Sequence, residues 1–203
     1  MKNFARYGVL IFALCSTNLY AQTSGALMSA QKFSGPSVVI HLSNSIKLNE
    51  KSKLTREYFV LRDALAPAFV SSNEGVNVSY DSTTRGASTG YQYRGTFAVQ
   101  AKENIVAYEI RIHLLDVFGK HVRTLSTSTL AEVADSNYTE ATWRIFQEAE
   151  AREAYTSIAY LAQARTANGG VYEVNRSALL EQIQKISSRV TASDLDPQSE
   201  IVR

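Results

Sequence analysis

The chain has 203 residues, with 21 Lys and Arg against 19 Asp and Glu, and a single cysteine. That length suffices for one substantial hydrophobic core. The near balance of charge gives no ground for a nucleic-acid or membrane-surface partner.

The first stretch, MKNFARYGVLIFALCSTNLYAQ, places Lys2 and Arg6 before an apolar run from Tyr7 to Leu14, then a polar segment ending at the small residue Ala21. This is the layout of a secretory signal peptide, and the run is shorter than the roughly 20 residues of a spanning helix. Residues 1–21 are therefore expected to be cleaved near Ala21, giving an extracytoplasmic protein, periplasmic or secreted. Leu14 stands before Cys15 where a lipoprotein signal needs a small residue. Without Lys2 and Arg6 the 21 basic residues become 19, matching the 19 acidic ones, and the only cysteine is gone. A cysteine-free mature chain has no disulfide, no thiolate nucleophile and no cysteine zinc site, so its core must hold it together.

Residues 22–35 are polar and rich in small side chains, and read as a linker. From Pro36 the pattern becomes one of strands. PSVVIHL and REYFVLRDAL are β-branched and aromatic runs, and GVNVSY alternates, with Val76, Val78 and Tyr80 on one face. In YQYRGTFAV, Tyr91, Tyr93, Phe97 and Val99 share a face opposite Gln92, Arg94 and Thr96. In NIVAYEIRIHLL, Val106, Tyr108, Ile110, Ile112 and Leu114 oppose Glu109, Arg111 and His113. Such a period of two argues for antiparallel strands with one buried face. HVRTLSTSTL and the segment from Ala141 to Phe146, which holds Trp143, continue the series.

Glu148 to Ala154 is built from helix formers and is expected to form a helical turn or two, with Glu148, Glu150, Arg152 and Glu153 on a solvated face. Thr156 to Thr166 ends at Asn168-Gly169-Gly170 before VYEV, which predicts a hairpin. NRSALLEQIQKISSRV sets Leu179, Leu180, Ile183, Ile186 and Val190 on one stripe, predicting a C-terminal amphipathic helix. Short strands at regular intervals and one late helix point to a mainly β fold, an immunoglobulin-like antiparallel β-sandwich over residues 36–192 with a C-terminal helix. Residues 193–203 are expected to form a flexible tail.

Two sets of residues raise the question of chemistry. His113, Asp116 and His121 lie close in sequence, but Asp116-Val117-Phe118-Gly119 has the residues of a type I turn, in which Asp116 accepts backbone N–H groups. His113 then falls on the polar face, and a metal site would need more converging ligands. GASTG, residues 86 to 90, fits a nucleophile elbow at Ser88, with Asp116 and His121 following in hydrolase order. That pattern requires a helix after the serine, and here a strand follows, so a loop is the expected reading. No catalytic, cofactor-binding or metal-binding residue is assigned, and no cofactor is expected.

IHLLDVFG resembles the core of bacterial extracytoplasmic domains of the FxLYD type, with Ile112 in place of Phe, Leu114 retained, Leu115 in place of Tyr and Asp116 retained. NIVAYEI is similar to the strand that precedes that motif. The resemblance covers about twenty residues. It implies an immunoglobulin-like sandwich whose motif residues are structural, on exported or membrane-attached proteins without known catalysis. The expected function is an exported, non-catalytic binding or accessory module acting on an envelope protein. A carbohydrate-binding or adhesive module and a serine hydrolase using Ser88, Asp116 and His121 are the alternatives.

Overall fold

A computed structural model describes residues 36–51, 53–81, 90–145 and 153–198. The leader, the linker, the Ser88 loop and the stretch expected to turn helical up to Arg152 lie outside the described residues. Glu153 and Ala154, at the end of that stretch, are not helical.

The strands are β1 (Val38–Lys47), β2 (Thr55–Asp63), β3 (Ala68–Asp81), β4 (Gly90–Ala101), β5 (Ile105–Leu115), β6 (His121–Thr129), β7 (Ser136–Ile145), β8 (Thr156–Thr166) and β9 (Val171–Glu173). Helix α1 (Arg176–Gln184) is followed by a 3-10 turn at Ala192–Leu195. They form a mainly β, sandwich-like fold of two packed sheets. The larger has six strands in the order β1-β2-β8-β5-β6 with β9 paired to β8, and the smaller has the order β3-β4-β7.

The apolar faces of β4 and of β5 from Tyr108 onward behave as their periodicity predicts. Tyr93, Phe97 and Val99 of β4, with Ile110, Ile112 and Leu114 of β5, are buried in the core that also contains Val76 and Trp143. The GVNVSY face is buried only at its start. Val76 is buried, Val78 packs against the core, and Tyr80 emerges at the end with its ring edge-on to Tyr91.

One pairing departs from the all-antiparallel expectation. β2 and β8 run parallel, Glu57 to Leu61 against Thr156 to Tyr160. The apolar sequence SIAYLA explains why β8 can take a central place. A strand covered on both faces needs apolar residues at consecutive positions, and Ser157 to Ala162 are all buried. One face of β8 meets the inter-sheet core through Ala159 and Leu161. The other contributes Ile158, Tyr160 and Ala162 to a second core with Leu179 and Ile183 of α1, and with Val190 and Leu195 beyond it.

Helix α1 starts where Asn175 caps it, accepting from the Ala178 N–H at 3.0 Å. It is shorter than the apolar stripe predicts. It ends at Gln184, and Val190 reaches the second core from the turns that follow. Ser187 and Ser188 interrupt the helix formers, and the Ser187 hydroxyl instead donates to the Gly119 carbonyl at 2.7 Å. The stretch from Ser193, expected to be loose, is docked as far as Gln198. Leu195 is buried, and the Gln198 N–H donates to the Thr124 carbonyl on β6.

Candidate functional site: a buried histidine pair beneath the C-terminal segment

Strands β5 and β6 are joined by the turn at Asp116, whose Oδ1 accepts from the N–H groups of Phe118 at 2.8 Å and Lys120 at 2.9 Å. Gly119 adopts φ +72°, the left-handed conformation that glycine tolerates without strain. The carboxylate is committed to the turn, as the sequence predicts.

The histidines differ from the prediction. His113 is fully buried rather than exposed on a polar face, because the segment after β9 folds over the outer face of the large sheet. The register sets His113 opposite Thr124, and the ring of His121 stacks on that of His113 with centroids 4.6 Å apart. Thr124 Oγ1 lies 2.9 Å from His113 Nδ1 and 3.1 Å from His121 Nε2. It also donates its one proton to the carbonyl of Asp194. With that proton committed, the hydroxyl can only accept from His113, which fixes a proton on Nδ1 and leaves Nε2 bare. His113 Nε2 is buried and has no hydrogen-bond partner.

Asp194 closes the group. Its Oδ1 lies 3.3 Å from His121 Nδ1, and its Oδ2 accepts from the Thr191 N–H and hydroxyl, each at 2.8 Å. Burial works to raise this carboxyl, but the Thr191 hydrogen bonds and the two histidines outweigh it and hold it below the usual range. Burial pulls His121 below its ordinary value against the attraction of Asp194. For His113, burial first and the neighbouring His121 second bring the pKa down to about 3.

Thr124, His121 and Asp194 lie in the order of a nucleophile relay, but the Thr124 proton goes to the Asp194 carbonyl and not to His121 Nε2. The arrangement lacks access. Thr124 is fully buried, and the 3-10 turn that covers it carries Asp194, so exposing the hydroxyl would remove the carboxylate. The group therefore acts as a clasp between the β5–β6 hairpin and the C-terminal segment. Other ties cross the same seam. Arg189 reaches the Phe118 carbonyl at 3.4 Å, and Arg123 reaches Gln198 at 3.1 Å. The apolar contribution is larger. Leu179, Ile183, Val190 and Leu195 are buried there, each contributing roughly 1.5–3 kcal/mol.

The three residues considered together in the sequence therefore separate. His121 is paired with Asp194 and not with Asp116, and Ser88 lies outside the described residues. Thr124 and Asp194 join the histidines without a sequence signal of their own. Thr124 is one of several threonines in β6, and Asp194 is distant in the chain. Among the described residues no group of three His, Cys, Asp or Glu side chains could hold a metal ion. The described residues define a mainly β protein of two packed sheets, sandwich-like, with one short C-terminal helix. No family model, curated protein or solved structure matches it.

Proposed function

We propose that this is an exported, non-catalytic binding or accessory module that acts on an envelope protein through the free edge of β1. The observation that carries this reading is the apolar character of that edge. Among the described residues β1 pairs only with β2, and Leu42 is 56 % and Ile46 47 % exposed. Leu48 and Leu54 add exposed apolar surface at the connection to β2. Edge strands are ordinarily blunted with charge, proline or bulges. β1 carries one bulge, between Leu42 and Asn44, but keeps its apolar side chains outward. A strand from a partner could add to such an edge, meeting Leu42 on one face of the sheet and Ile46 on the other. Export rests on the leader-like sequence of residues 1–21. The immunoglobulin-like reading of the sandwich rests on the resemblance of IHLLDVFG, and the parallel β2–β8 pair is a departure from that pattern.

A photo-crosslinker placed at Leu42 in the tagged protein, in its own cell envelope, tests the reading. One stoichiometric protein adduct that disappears in Ile46→Lys supports it. Equal labelling of that protein from a crosslinker on the opposite sheet at Thr142 overturns the edge assignment. A glycan-binding variant has one observation in its favour, the half-exposed Tyr80 set edge-on to Tyr91 at 5.1 Å. Saturable binding of a cell-wall glycan, lost in Tyr80→Ala, would favour it.

A further inference from the structure

We propose that His113 is an acid-sensitive trigger that loosens the C-terminal segment, residues 176–198, from the outer face of the large sheet. The inference is independent of the β1 edge and rests on the geometry of the clasp.

Neutral His113 fits its place. Its Nδ1–H has an acceptor in Thr124 Oγ1, and its bare Nε2 faces no donor. A second proton would put an N–H on Nε2 in a buried place without an acceptor. It would also put a cation against the ring of His121, 4.6 Å away. The groups whose charge bears on His113 come from two elements, His121 on β6 and Asp194 in the 3-10 turn. The Asp194 carboxylate and its backbone carbonyl both favour the charged ring, but the carboxylate oxygens are already directed at His121 and Thr191 and the carbonyl accepts from Thr124. Of the other elements packed on this face, β8 contributes Ile158 and α1 contributes Leu179 and Ile183. Arg123 and Arg189 stand on the rim, bound to Gln198 and to the Phe118 carbonyl. Among the described residues His113 Nε2 has no acceptor for the new N–H.

Water can reach Nε2 only if the cover lifts. The cover is tied to the sheet at Thr124 itself, through the Asp194 carbonyl and the Gln198 N–H. The residue that must be solvated in acid therefore lies directly under the contacts that hold the segment down. Lifting would uncover Leu115, Ile158, Tyr160 and Ala162.

Hydrogen–deuterium exchange of the full chain at about pH 7.5 and about pH 5, corrected for the intrinsic pH dependence of amide exchange, tests this. An open form in which His113 regains its ordinary pKa of 6.5, against about 3 when closed, gains about 30-fold in population from this one group. Exchange in residues 176–198 is expected to rise by about that factor and to stay faster than in the slowest amides of β3, β4 and β7, which open only on global unfolding, with the rise absent in His113→Phe. Should that variant not fold, titration of the His113 ring by NMR in the wild-type chain decides instead. Exchange in residues 176–198 that is no faster at about pH 5 than in the slowest amides of β4 overturns the proposal, as does an unchanged acid response in His113→Phe. So does a His113 ring that titrates near 6.5 with the segment still protected.

Discussion

His113 and His121 stack their imidazole rings with centroids 4.6 Å apart and planes 14° from parallel, beneath the C-terminal segment. Two rings so placed cannot both become charged without cost, and the more buried one, His113, is the harder to protonate.

This sets a pH dependence for global stability. A histidine whose folded pKa lies below its unfolded value stabilises the protein fully above about 6.5, and that stability is lost as pH falls from there towards the folded value of about 3. Urea unfolding should therefore give a free energy lower at about pH 5 than at about pH 7.5, by roughly 2 kcal/mol from His113 alone. His121, also lowered, adds in the same direction. A stability that rises on acidification would contradict this.

Thr124 should be the most sensitive polar position of the clasp. Thr124→Val keeps the shape but leaves the His113 Nδ1–H and the Asp194 carbonyl without their partner. A loss of about 2–4 kcal/mol is expected, since each orphaned buried group costs about 1–3 kcal/mol. Thr124→Ser, which keeps the hydroxyl, should lose no more than about 1 kcal/mol. Chemical denaturation of both variants checks the contrast.

A second buried polar connection joins the sheets at Asn73. Its Nδ2 donates to the Phe59 carbonyl at 3.0 Å and to Ser157 Oγ at 2.8 Å, while its Oδ1 accepts from the Gly75 N–H at 2.9 Å. Gly75 has φ +92°, and a Cβ there would clash with the ring of Tyr58. Gly75→Ala combines backbone strain with a clash, so a loss of more than about 2 kcal/mol is expected. A melting temperature within error of wild type would refute this.

Tyr160 offers the opposite test. Its hydroxyl is buried without a hydrogen-bond partner, and burial pushes the phenol up. Tyr160→Phe removes that group while keeping the ring in the second core. It should be neutral or stabilising by up to about 1 kcal/mol. A clear destabilisation in urea would show that the hydroxyl has a partner.

Much of the fold was legible because period-two alternation reports a single buried face. The β4 and β5 patterns, the Asp116 turn and the Asn168-Gly169-Gly170 hairpin all have that local character. The clasp was not legible, because burial of His113 depends on a segment that arrives from the far end of the chain. A histidine among Glu109 and Arg111 reads as solvent-facing until Leu179, Ile183 and Leu195 cover that side. The parallel β2–β8 pair was hidden for a similar reason. A continuous apolar run shows that a strand is covered on both faces, but not which neighbours it takes.

The most direct measurement of the clasp is the protonation state of His113, read from the imidazole ¹⁵N shifts of the full chain at neutral pH. A neutral ring with its proton on Nδ1, bonded to Thr124, and a bare Nε2 is expected. A ring protonated on Nε2, or carrying both protons at that pH, would contradict this.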